Sequence, residues 1–128
     1  MGHMAHSMEE HYDEKVIKMN KEMKKREEYL GNKWKDEGDG YFSLVGKSEA
    51  GMIAMAFIGS GSGEVAYIAL PEGHPDIGKG YDDLNPKVNG GLTFSQGNVF
   101  GWDYAHAYNY GTPTKDIKNA INYFKKRK

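Results

Sequence analysis

Val99-Phe100-Gly101-Trp102-Asp103-Tyr104-Ala105-His106-Ala107-Tyr108 is the stretch on which the fold turns. At the period of two that a strand imposes, Phe100, Trp102, Tyr104, His106 and Tyr108 fall on one side. Gly101, Asp103 and Ala105 fall on the other. A helix would scatter those rings around its axis, whereas an antiparallel strand gathers them on one face. Such a face suits either a buried core or the stacking of a planar ring. Asp103, opposite it among small residues, needs hydrogen-bond donors wherever it is buried.

Outward from this strand, Gln96-Gly97-Asn98 reads as a turn and Leu92 to Ser95 as its partner strand. Further upstream, Glu64 to Leu70 carries the β-formers Val65, Tyr67 and Ile68, and Met52 to Ile58 is an apolar run of strand length. The two are joined by Gly59-Ser60-Gly61-Ser62-Gly63, which predicts an antiparallel hairpin. Tyr41 to Val45, after the Asp39-Gly40 turn signal, makes five strands. Residues 71–91, rich in Pro, Gly, Asp and Asn, read as a long loop, and long loops inside small domains frequently carry function.

A helix is expected at each end. Over residues 9–30, Tyr12, Val16, Met19, Met23 and Leu30 form a narrow apolar stripe, with Gly31-Asn32 as its stop. This stripe is read as packing on the chain's own sheet, with a homo-oligomer seam as the alternative. Near the C-terminus, Thr112-Pro113 is a cap followed by a helix-starting proline, and Ile117, Ala120, Ile121 and Phe124 share one face. The expected fold class is α+β: an antiparallel sheet of about five strands with an N-terminal and a C-terminal helix packed on one face. Residues 1–7 read as vector remnant and 8–128 as a single domain, with helices over 8–31 and 112–128 and the sheet and motif loop over 38–111.

Composition narrows the chemistry. The chain of 128 residues has no cysteine, which removes disulfides, zinc–thiolate sites, iron–sulfur clusters and cysteine nucleophiles together. No apolar run approaches the roughly 18–20 residues of a membrane helix, and the polar N-terminus does not read as a signal peptide. A cytoplasmic protein with no membrane partner is expected. Charge is uneven: residues 38–114 hold Lys47, Lys79 and Lys87 against eight acids, while the Lys125-Lys126-Arg127-Lys128 tail is basic. The central segment has the wrong sign for nucleic acid, and a lysine-rich end suits the last turn of a helix.

Familiar motifs fail. Gly46-Lys47-Ser48 resembles the end of a phosphate-binding loop, yet Tyr41 stands where that loop needs glycine. The Gly59–Gly63 stretch lies between expected strands and offers no helix N-terminus for a phosphate. No metalloprotease, serine-hydrolase, calcium-loop or dinucleotide fingerprint occurs, and the residues name no cofactor and no metal.

Three clusters remain as candidates. The first, Gly73-His74-Pro75-Asp76-Ile77-Gly78-Lys79-Gly80-Tyr81-Asp82-Asp83, joins a histidine, a tyrosine and paired carboxylates. The second is Gly90-Gly91-Leu92-Thr93-Phe94, whose double glycine would let backbone amides approach a ligand. The third is Gly101-Trp102-Asp103-Tyr104-Ala105-His106. Each also has a structural reading: satisfied core histidines for His74 and His106, a turn for Asp82-Asp83, backbone capping for Asp103, and plain core for Trp102 and Tyr104.

The order GHPxxGxxYDD, GGLT, GxDxAH and a charged final helix resembles a family of small phage- and prophage-encoded proteins over about residues 65–124. The matching positions are His74, Pro75, Gly78, Tyr81, Asp82, Asp83, Gly90, Gly91, Leu92, Thr93, Asp103 and His106. This chain departs from the pattern at Tyr108-Asn109-Tyr110-Gly111 and at Asn89, where the family often has histidine. The resemblance implies a phage-type accessory protein in a host cytoplasm and supplies no chemistry.

Two functions are therefore expected in order. The first is a binding module that captures a nucleotide-like signal or a host defence protein, through Tyr81, Asp82, Asp83, Gly90, Gly91, Thr93, Trp102 and Tyr104. Lys79 or Lys87 would assist with a phosphate. The second is a phosphoester-type hydrolase in which His74 and His106 serve as acid and base and Asp82, Asp83 or Asp103 orients a histidine or holds Mg²⁺. Both require the loop over residues 71–91 to close over the aromatic strand around a shared polar hollow.

Overall fold

Two tight turns set the sheet. Asp39 and Gly40 take φ of 56° and 85° and join β1 (Lys35–Gly38) to β2 (Tyr41–Lys47), the positive-φ pair that a two-residue antiparallel hairpin favours. Gly97, at φ 60°, turns β4 (Phe94–Gln96) into β5 (Val99–Asp103). Between these hairpins lies β3 (Glu64–Ala69), paired with β2 on one side and β5 on the other. The sheet has the order β1-β2-β3-β5-β4 and every pairing is antiparallel. The computed structural model describes residues 19–58, 62–105 and 109–128. Its architecture is the expected α+β class with a five-stranded antiparallel sheet, although one of the five strands differs from the expected set.

Met52 to Ile58 is not a strand. It belongs to α2 (Glu49–Ile58), which spans the connection from β2 to β3. Ser48 starts it: its Oγ accepts the Gly51 N–H at 2.8 Å, as a capping serine does. Alanine and methionine then favour continuation, and a short apolar run carries no periodicity that separates strand from helix. The fifth strand is instead β1, a polar edge strand whose sequence, Lys-Asp-Glu-Gly, gives no apolar signal.

The helices cover opposite faces, which corrects the one-faced expectation. β3 is apolar on both sides, and its alternate residues feed two separate cores. Ala66, Ile68 and Leu70 join Tyr41, Phe100, Trp102 and Tyr104 beneath α3 (Pro113–Lys126), which contributes Ile117, Ala120, Ile121 and Phe124. Tyr67 and Ala69 join Leu44 and Val99 beneath α1 (Lys21–Leu30), which contributes Met23 and Leu30. Thr112 caps α3 by accepting the Lys115 N–H, with proline in the first turn.

The N-terminal helix is shorter than its stripe suggested. Asn20 is extended and its side chain accepts the Met23 N–H at 3.0 Å, so a cap starts α1 at Lys21 where a continuous helix was expected. Gly31 ends it at φ 69° as expected. Tyr12 and Val16 lie outside the described residues. No helix among the described residues is long and apolar enough to cross a membrane.

One glycine fixes the packing on the α1 face. A Cβ on Gly101 would lie 2.5 Å from Tyr67 Cδ1 and 3.1 Å from the Ala66 carbonyl oxygen. Tyr67 therefore lies flat across β5 only because position 101 has no side chain. Gly101→Ala is expected to lift that ring and to destabilise the fold by about 1–3 kcal/mol, read as a lower urea midpoint at unchanged slope.

Candidate functional site

With Tyr67 lying over Gly101, a hollow opens on the α1 face of the sheet beside the small Ala105. It has a volume of about 420 Å³. Tyr29 reaches it from α1, Ser48, Ala50 and Gly51 from the start of α2, Val65 and Tyr67 from β3, and Phe94 from β4. Thr93, Trp102, Asp103 and Ala105 complete the wall, although the Trp102 side chain belongs to the core beneath α3. Gly51 lets α2 come this close, since a Cβ there would lie 2.5 Å from the Gly63 carbonyl oxygen. Tyr67 and Phe94 meet edge to face at 5.3 Å.

Asp103 supplies the polar edge. Its Oδ1 accepts the Ala105 N–H at 3.1 Å and its Oδ2 accepts the Thr93 hydroxyl at 3.4 Å. Behind the rings, Arg26 is ion-paired with Glu22 at 3.1 Å, and its guanidinium stands 5.1, 5.6 and 5.0 Å from the ring centres of Tyr29, Tyr67 and Phe94. Burial pushes the Tyr67 phenol up, and its hydrogen bond from Arg26 only partly offsets that. Tyr67 is thus a neutral hydroxyl at pH 7.

The expected aromatic face of β5 does exist, but it is core. Trp102 is fully buried under α3, where its Nε1–H donates to the Tyr104 hydroxyl at 2.8 Å. Tyr104 in turn donates to Asp116 Oδ2 at 2.6 Å, and burial holds its phenol protonated. Neither ring is open to stack a ligand, because α3 covers that side of the sheet.

The glycine-rich loop closes over the same face as part of the core, through Leu84, Val88 and Leu92. Asn89 pins it. The Asn89 side chain accepts from the N–H groups of Tyr110 and Gly111 and donates to the Asp103 carbonyl and the Asn109 side chain. Its backbone N–H donates to Asp116. Gly90 and Gly91 take φ of 70° and 77°, and nothing lies within 4 Å of where a Gly91 Cβ would stand. Conformation, rather than close approach of a ligand, accounts for glycine at Gly91.

His74 is a structural histidine. Its ring is buried edge-on to Tyr41 and Phe124. Nδ1 accepts the Asp76 N–H at 3.0 Å, so Nε2 carries the proton and donates to the Phe124 carbonyl at 2.8 Å. Asp76, also buried, takes a two-point contact from Arg127 at 2.7 and 3.2 Å and an ion pair from Lys79 at 2.9 Å. The loop is thereby bolted to the end of α3, and Lys79 is engaged there rather than at a phosphate.

Tyr81, Asp82 and Asp83 form an exposed turn of 3₁₀ helix beside β4, tied by the Tyr81 N–H to Ser95 Oγ at 3.0 Å. His106 lies outside the described residues. Of the sequence candidates, the structure brings Thr93 and Asp103 together in the hollow and holds His74 on the opposite face of the sheet. Among the described residues, the loop meets the aromatic strand through apolar core side chains. Among the described residues, no three His, Asp or Glu side chains are grouped so that they could hold a metal ion.

Sequence reasoning passed over Tyr29, Tyr67 and Asn89 as parts of the site and its support, and took in Phe94 only as the end of the second candidate cluster.

Arg127 holds the Asp76 carboxyl at about 2, below its ordinary 3.8, and Lys79 adds to the effect. A depressed carboxylate stabilises the fold above its unfolded value and loses that contribution as pH falls toward the folded value. Asp76→Asn is expected to cost about 1–2 kcal/mol at pH 7, less than the full linkage because Arg127 and Lys79 are partly exposed. The urea midpoints of variant and wild type should converge between pH 4 and pH 2. Comparison of the chain with models of protein families, with curated proteins and with solved structures finds no match to any of them.

Proposed function

We propose that this chain is a binding module and that its site is the hollow between α1, α2 and strands β3 to β5. The observation that carries this reading is chemical: three aromatic rings line one part of a ligand-sized cavity, and a carboxylate with a hydroxyl beside it edges another. That combination suits a flat group bearing N–H donors, with its faces against Tyr29, Tyr67 and Phe94 and its edge toward Asp103. Among the described residues, those lining the hollow include no cation, so the base-like half of a nucleotide-like ligand fits better than its phosphates. The motif resemblance supplies a setting, a phage-type accessory protein that captures a host component.

The hydrolase reading has less to stand on. His74 spends both ring nitrogens on the fold, and it lies across the sheet from Asp103. Proton transfer needs groups within hydrogen-bond reach of one substrate.

Calorimetric titration with adenosine, cytidine and benzamidine, against uridine as a partner without an exocyclic amine, tests the proposal. Binding of the amine-bearing probes is expected, weakened roughly tenfold or more by Asp103→Asn. The amide keeps the oxygen that accepts from Ala105, and the melting temperature of the variant, measured alongside, separates lost binding from lost fold. Silence of the wild-type protein toward every amine-bearing probe ends the reading.

A further inference from the structure

Helix α2 does more than wall the hollow. Past Gly51 it turns apolar residues to solvent: Met52 is 42% exposed, Ile53 56% and Phe57 88%. No charged residue occurs between Glu49 and Glu64. Contiguous exposed apolar side chains next to a pocket are a common mark of a macromolecular interface. A small molecule seated in the hollow would leave Ile53 and Phe57 wet, so the helix calls for a larger partner.

Charge decides which partner. The charged groups bordering this surface are Glu49 and Glu64 at the two ends of the apolar stretch, Asp103 in the hollow, Lys47 one residue before the cap, and Arg26 beside the three rings, its charge balanced by its ion pair with Glu22, so that acids still outnumber bases. Residues 38–114 as a whole carry three lysines against eight acids. An anionic lipid surface would be repelled, and the helix lacks the lysines and arginines that membrane-surface helices carry on their polar side. A second copy would bring the same acidic border against itself. A basic protein surface is complementary.

We propose, resting on the reading of the hollow as a binding site, that the hollow and α2 together dock a basic protein partner. An arginine of the partner enters the hollow while apolar side chains beside it cover Met52, Ile53 and Phe57. Arginine is the cation that fits, because its planar guanidinium stacks on aromatic rings while pairing with a carboxylate. The chain's own Arg26 shows a guanidinium in the company of Tyr29, Tyr67 and Phe94, at 5.0–5.6 Å from the ring centres.

NMR titration of the full chain with three synthetic peptides tests this: acetyl-Leu-Ser-Arg-Ser-Leu-amide, its citrulline counterpart, and acetyl-Ser-Ser-Arg-Ser-Ser-amide. The leucine-flanked arginine peptide is expected to bind roughly tenfold tighter than either of the others. Ile53→Ser with Phe57→Ser, both at exposed positions, should abolish the leucine advantage and leave the serine-flanked peptide unchanged. Asp103→Asn should abolish the preference for arginine over citrulline. Equal binding of arginine and citrulline peptides, or a leucine advantage that survives the double substitution, overturns the docking surface. Should no peptide bind while the amine-bearing probes do, the docking surface fails alone and the hollow stands; silence of peptides and probes together ends both.

Discussion

β3 carries apolar side chains on both faces, and every layer of the molecule follows from that. A strand buried on both sides cannot sit at an edge, so it takes the centre of the sheet between β2 and β5. Each face then requires its own cover, and the chain supplies one helix from each end. Ala66, Ile68 and Leu70 commit one side to α3, while Val65, Tyr67 and Ala69 commit the other to α1.

The two faces differ in how completely they are filled. Beneath α3 the packing is closed by large rings and by a polar chain from Trp102 through Tyr104 to Asp116 and Asn89. Each of these groups is hydrogen-bonded, which is the condition for burying polar atoms at modest cost. Beneath α1 the ten-residue helix buries only Met23 completely, and a hollow remains beside it. The closed side thus carries most of the packing, while the side proposed for binding carries a mixture of rings and charge.

Much of this was readable before any coordinates. The alternation of Phe100, Trp102 and Tyr104 against Gly101 and Asp103 fixes the orientation of β5, and Thr112-Pro113 with Ile117, Ala120, Ile121 and Phe124 fixes α3. Apolar runs were harder. Met52 to Ile58 reads alike as buried strand or as helix, and the deciding residue, the capping Ser48, lies outside the run. β1 has no apolar residue to announce it and exists because Asp39-Gly40 folds it back on β2. The site was legible only in part. Asp103 and Thr93 stand out, but their companions Tyr29 and Tyr67 come from distant elements, and pairing across such separations leaves no local mark. His74 stood out for the wrong reason: a histidine that accepts from one backbone group and donates to another looks the same in sequence as one that moves protons.

The two tryptophans occupy the two layers. Trp102 is sealed beneath α3 with its indole N–H on Tyr104, whereas Trp34 lies half-buried in the α1 layer with its indole N–H on the Met23 carbonyl. The molecule therefore carries a separate optical reporter for each side of its sheet. Intrinsic emission from single-tryptophan versions would distinguish a loosening of the α1 layer from a melting of the α3 layer.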